Sequence, residues 1–115
     1  MSKAPYIDPL GLHLARELSE QAGFTLKFIQ GRARYASLSQ ARASVAWGLA
    51  RQTSMSLPEI GAILQKDHSS IIHMIRSENE RRGTDVRGLH FPEGYRERHR
   101  LNATLYNVMS REVLA

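Results

Sequence analysis

The strongest constraint in this chain is a pair of helix starts set close together. Ser56 is followed by Leu57, Pro58 and Glu59, and Asp67 lies shortly after. The S-x-x-E spacing is a capping box, in which serine and glutamate side chains take the free N–H groups of a first helical turn. Behind it, Leu57, Ile60, Ile63 and Leu64 fall on one helical face. Gln65 and Lys66 make the turn. Asp67 then caps a second helix that runs to Arg82 and stops before Gly83. Two short helices joined in this way read as a helix-turn-helix.

At about 100° per residue, the second helix has two characters. His68, Ile71, Ile72 and Ile75 share one side, and Ser69, His73, Arg76 and Glu80 follow a stripe on another. The isoleucines face the protein and the polar stripe faces out. Ser69 and Ser70 stand in the first turn, where a recognition helix meets base edges, and serine hydroxyls both donate and accept. His73 and Arg76 lie further along, in reach of phosphates. The free N–H groups of the first turn add partial positive charge. An amphipathic helix with a serine-rich start also occurs without any nucleic-acid partner, so charge has to be considered with it.

The chain carries a net charge of +5 and a pI of about 10.1. Residues 21–58 hold Lys27, Arg32, Arg34, Arg42 and Arg51 and no Asp or Glu. A block of one sign is not a salt-bridged solvent face, and it points to an anionic partner such as nucleic acid or an acidic lipid surface. There are no cysteines, which excludes disulfides, thiolate metal sites and cysteine catalysis. No apolar run approaches the roughly 20 residues that span a bilayer, and no export signal is visible. A cytoplasmic protein, with no membrane partner, is the expectation.

The remaining segments read as helices. Asp8 and Pro9 start one that carries Leu10, Leu14, Ala15, Leu18 and Ala22 and ends at Gly23. Thr25 caps a short one with Leu26, Phe28 and Ile29, which stops near Gly31. A basic loop follows from Arg32 to Ala36. Ser37 or Ser39 starts a longer helix to about Gln52, with a stripe of Leu38, Ala41, Val45 and Leu49, and its alanines and Gly48 suit a close neighbour. Trp47 points away from that stripe and packs under an N- or C-terminal helix. Residues 84–94 read as a linker, and residues 95–115 as a final helix with Leu101, Leu105, Val108 and Met109 on one side. The fold class is all-α, a compact helical domain over residues 1–83 with extra N- and C-terminal helices.

Other chemistry finds little support. His68 and His73 are about 140° apart round the helix, so they do not share a metal ion easily. Ser69 or Ser70 beside His68 lacks an orienting acid and an oxyanion site. No phosphate-binding G-x-x-x-x-G-K-[ST] loop occurs. No cofactor, metal or enzymatic role is expected.

The run SLPEIG, a short turn, then DHSSIIHMIR resembles the C-terminal DNA-binding domain, domain IV, of the replication initiator DnaA. The similarity reaches back through residues 43–51 to the loop near Arg34. It implies a Trp-repressor-like helix-turn-helix that reads double-stranded DNA. By position it implies that Asp67, His68, Ser69 and Ser70 read the major groove, and that Arg34 enters the minor groove. It also implies phosphate contacts near Arg42, Leu57, Pro58 and His73. Arg32, Lys66 and Arg76 join them as expected phosphate contacts. Three departures stand out. Serines replace both of the family's threonines, the turn before Asp67 is one residue shorter, and Ala33 and Ala36 stand where the family carries more arginines. The expected function is sequence-specific DNA binding, as a regulator of transcription or replication of phage-like type without ATPase activity, associated with the nucleoid. The alternative is an adaptor for a replisome or RNA polymerase component. The helix at 95–115 would serve a protein partner or self-association.

Overall fold

The computed structural model describes residues 7–95. Its order is α1 (Pro9–Gln21), α2 (Leu26–Gln30), α3 (Ala36–Gln52), α4 (Leu57–Leu64) and α5 (His68–Arg82), followed by a 3-10 turn at Val86–Gly88. No strand occurs among the described residues, and the fold is all-α as expected.

Each early helix starts where a short polar side chain meets the first turn. The Asp8 carboxylate accepts from Leu10 N at 3.0 Å, with Pro9 at the first helical position. Thr25 Oγ1 accepts from Phe28 N at 3.3 Å, and Ser56 Oγ from Glu59 N at 3.2 Å. These bonds satisfy donors that no helical carbonyl can reach. α3 differs. It starts at Ala36, ahead of Ser37 and Ser39, and Tyr35 precedes it without a side-chain cap.

α3 is the central element, packed between α1 and α5. The expected stripe of Leu38, Ala41, Val45 and Leu49 is buried, and so are Ala43, Ala46, Trp47, Gly48 and Ala50. A helix covered on so many sides needs small residues where neighbours cross. At Gly48 a methyl group would lie 2.9 Å from Leu18 Cδ1, which has taken that space. Ile71 and Ile75 of α5 are fully buried in the same core as Ile60, Ile63 and Leu64 of α4. Loss of either isoleucine side chain is worth about 2–5 kcal/mol in a core of this kind. Ile72 is only partly buried.

The segment expected as a linker behaves differently. Asn79, 1% exposed, ties it to α5. Its Oδ1 accepts from Trp47 Nε1, Thr84 Oγ1 and Val86 N, and its Nδ2 donates to the carbonyls of Val86 and Leu89. Arg87 donates to the carbonyls of Ala50, Thr53 and Met55 at the end of α3 and just beyond it. Val86 and Leu89 pack on the core. Residues 84–89 thus pack against the helices, with Asn79 taking backbone groups of this segment and Arg87 tying it to the end of α3. Trp47 is accounted for here. It packs against α5 and the turn after it, with the guanidinium of Arg82 4.2 Å and that of Arg51 5.2 Å from its ring centroid. The helix expected at 95–115 lies outside the described residues except for Tyr95.

Asn79→Ala should remove the bonds to Val86 N and Leu89 O, leave the Trp47 indole N–H with Thr84 Oγ1 alone, and leave the Val86 carbonyl with Leu89 N alone. The expected loss is about 3 kcal/mol in a urea unfolding titration, with faster amide exchange across residues 84–91. Wild-type exchange in that segment would contradict the assignment.

Candidate nucleic-acid interface

The turn between α4 and α5 sets the angle of α5. Gln65 takes a left-handed conformation, φ 54 and ψ 45, and Lys66 N donates to Gly61 O at 2.9 Å. Gly61 is needed there, since a methyl group on it would stand 2.6 Å from the Lys66 carbonyl oxygen. α5 then begins at His68, with Asp67 in the extended region ahead of it.

The tip of α5 stands in solvent. Asp67, His68, Ser69 and Ser70 are all exposed, and the side chains of Asp67 and His68 keep 70% and 59% of their accessibility. His68, which shares the isoleucine side of the helical wheel, is thus exposed. Asp67 occupies the cap position without bonding a helix N–H. Its carboxylate instead accepts from the Ser69 hydroxyl and lies 3.5 Å from His68 Nδ1. The Ser69 bond first, and His68 after it, hold the Asp67 carboxyl below its ordinary range, so it is ionised at neutral pH. This arrangement commits the Ser69 proton to Asp67 and leaves Ser69 Oγ with acceptor lone pairs for an outside partner. The Ser70 hydroxyl stands exposed beside it.

The basic loop lies across from this tip. Arg32 and Arg34 are exposed. Arg42, expected at phosphate, is 5% exposed. Its guanidinium donates to the carbonyls of Ile29 at 2.8 Å, Ala33 at 2.5 Å, Gly31 at 2.7 Å and Phe28 at 3.3 Å. A planar fork of donors suits four carbonyls that converge as α2 ends and the loop begins. Arg42 thus shapes the loop from within while still lining the cleft between loop and helix. Lys66 adds a second tie, with Nζ donating to Gly31 O at 2.7 Å and Gln30 O at 3.2 Å. Gln30 in turn donates to Ile63 O at 2.8 Å, which fixes α2 to α4. Burial, and then the charges of Arg42, Arg34 and Arg32, hold the Lys66 ammonium below its ordinary pKa. Mutual repulsion of this kind marks positive charge that lacks a nearby counter-ion, and an arriving anion relieves it.

Between loop and helix runs an open cleft of about 1150 Å³. Arg34, Lys66 and Arg42 line one part of it, Ser39 and Gln40 of α3 another, and Ser69, Ser70 and His73 of α5 a third. Arg32, Leu57, Pro58, Asp67, His68 and Arg76 do not line it. Leu57 is partly buried and Pro58 exposed at the start of α4. Arg76 is partly buried, and its Nε is sealed from solvent without a hydrogen-bond partner. Glu78, Glu80 and Arg81, further along α5, also line the cleft. Burial alone would raise the Glu78 pKa, but hydrogen bonds from Arg81 at 2.8 Å and Arg82 at 2.6 Å outweigh it and hold the carboxyl low. His73 meets the edge of Phe91 at 5.2 Å, and Tyr95 stacks on Phe91 at 4.6 Å. Sequence patterns gave no sign of this pair beside α5, since the contact depends on the fold-back of residues 84–89.

Among the described residues no group of three or more His, Asp or Glu side chains could hold a metal ion, and no helix is long and apolar enough to cross a membrane. The family described as bacterial dnaA protein helix-turn-helix matches residues 13–77, more than half of the chain. No curated protein and no solved structure matches it.

Two outcomes are expected. Arg42→Lys should lower the unfolding free energy by about 2 kcal/mol and speed amide exchange at residues 31–35, because one ammonium cannot reach four carbonyls. An unchanged denaturation midpoint would contradict this. Glu78 has a depressed folded pKa, so its stabilisation is present above the ordinary carboxylate range and is lost as pH falls through the lowered value. Urea midpoints measured from neutral to acidic pH should fall less for Glu78→Gln than for the wild type. Parallel curves would count against the ion pairs.

Proposed function

Given that the chain belongs to the bacterial DnaA helix-turn-helix family, we propose that it binds double-stranded DNA sequence-specifically across the cleft between α5 and the basic loop. A recognition helix in the major groove and an arm in the adjoining minor groove must straddle one sugar-phosphate strand. The observation that carries this reading is the cleft itself, lined together by Arg34 of the basic loop, Lys66 of the turn and Ser69, Ser70 and His73 of α5.

In this reading Arg34, Asp67, His68, Ser69 and Ser70 contact bases. Because Ser69 already donates to Asp67, it accepts from a base donor, the amino group of adenine or cytosine. Ser70 takes either role. Arg32, Lys66, His73 and Arg76 hold phosphates, together with the start of α4 at Leu57 and Pro58, where the Leu57 N–H is the backbone donor because Pro58 has none and Glu59 N donates to Ser56 Oγ. Arg42 contributes by holding the arm in place. The protein then acts as a regulator of transcription or replication, located with the nucleoid.

Selection of duplexes from a random pool at a stated salt concentration, followed by titration of the preferred site, tests this. One motif should be enriched. Arg34→Ala should weaken that site by about 1–3 kcal/mol and relax preference at one edge, and Ser69→Ala should weaken the preferred site alone by a similar amount. The log–log salt slope should be about −0.9 per phosphate neutralised, and Arg32→Ala should make it shallower by about one contact without changing the motif. A pool that stays random would refute the proposal.

A further inference from the structure

Three aromatic rings gather where the basic loop leaves α2 and enters α3. Phe24 lies 6.3 Å from Phe28 and 6.3 Å from Tyr35, tilted against both. Phe24 is partly buried, whereas Phe28 is 55% and Tyr35 46% exposed. Rings of this size in water forgo burial that would stabilise the fold. They cannot simply fold inward, because the backbone that carries them is fixed. Arg42 bonds the carbonyls of Phe28, Gly31 and Ala33, and Lys66 bonds those of Gln30 and Gly31. Neither exposed ring lines the cleft beside α5.

The charges on the segment that carries the rings are of one sign. Lys27 adjoins Phe28 in α2, and Arg32 and Arg34 lie between the two exposed rings in sequence. All three cations are exposed. Residues 21–58 contain no Asp or Glu. An exposed aromatic surface set among unpaired-sign cations fits a ligand with flat apolar faces and a polyanionic backbone. Single-stranded nucleic acid has both, with bases that stack on the rings and phosphates that meet the cations. A duplex does not, since its bases cover one another and present only their edges.

We infer that Phe28 and Tyr35, with Lys27, Arg32 and Arg34, form a second nucleic-acid surface that binds unpaired DNA. The strand is DNA because the platform adjoins Arg34, which the proposed function puts into a minor groove; the choice of DNA rests on that reading. Bases freed at that edge of the site would find stacking partners next to the arm. The module would then hold a duplex in its cleft and an opened strand on its loop.

The test titrates the full chain with a DNA oligonucleotide of about 20 unstructured nucleotides, longer than one such surface covers. An abasic strand of the same length, an RNA oligonucleotide and the preferred duplex serve as further probes. Phe28→Ala and Tyr35→Ala should each weaken single-strand binding at least about fivefold and leave the abasic strand unaffected. Tyr35→Phe should retain wild-type binding. Ser69→Ala combined with Ser70→Ala should lower duplex binding and leave single-strand binding intact. Circular dichroism of each variant should match the wild type, because both rings are at the surface. Failure of the wild type to bind the single strand, equal binding by the ring variants, or tighter binding of RNA would each overturn the inference. Duplex binding alone would leave the proposed function standing without this surface, whereas single-strand binding alone would do the reverse.

Discussion

The guanidinium of Arg42 holds the basic arm to the rest of the molecule. It gathers four carbonyls where α2 ends, at a point where the chain would otherwise expose unpaired backbone acceptors. With that knot in place, Arg34 sits at a set position relative to α5 and Lys66 can reach the same turn. Remove it and the arm becomes an ordinary surface loop with two arginines. A buried charge satisfied by carbonyl dipoles, with no carboxylate, also keeps its positive field. Arg42 therefore both builds the arm and adds to the potential that an anion would meet.

α5 divides its two ends between opposite tasks. Its N-terminal turn is left outside, with a serine, an aspartate and a histidine bonded among themselves. Its C-terminal half is fastened by Arg82 to Ser44 and Trp47 of α3, by Asn79 to Trp47 and to the segment that follows, and by Ile75 to the core. Rigid anchoring of one end makes the position of the other reproducible, which is what a helix needs if its hydroxyls are to tell one base edge from another.

Much of this was legible in the sequence, because it depends on neighbours in the chain. The caps at Asp8, Thr25 and Ser56, the Leu38 to Leu49 stripe, the Gln65 and Lys66 turn and the buried isoleucines of α5 follow from local spacing. The family was legible too, through SLPEIG and DHSS. What escaped was long-range pairing. Arg42 looked like a surface cation, since nothing in its neighbourhood reveals four carbonyls contributed from α2 and the loop. His68 shares the isoleucine side of a helical wheel, and the wheel alone does not show that this first residue of α5 is exposed. Residues 84–94 looked like a linker because glycine and proline mark turns, while the hold of Asn79 and Arg87 on that segment depends on partners far along the chain. Phe28 was read only as a helix residue, and its exposure appears once the loop backbone is fixed.

The central claim is that the arm and the recognition helix grip one duplex together. It is tested most directly by following backbone amide and arginine side-chain NMR signals during titration with the selected duplex. Arg34, Lys66, Ser69, Ser70 and His73 should shift together, at a single stoichiometry and with one apparent affinity. Shifts confined to the α5 tip, or centred instead on the Trp47 indole and Arg51, would contradict it.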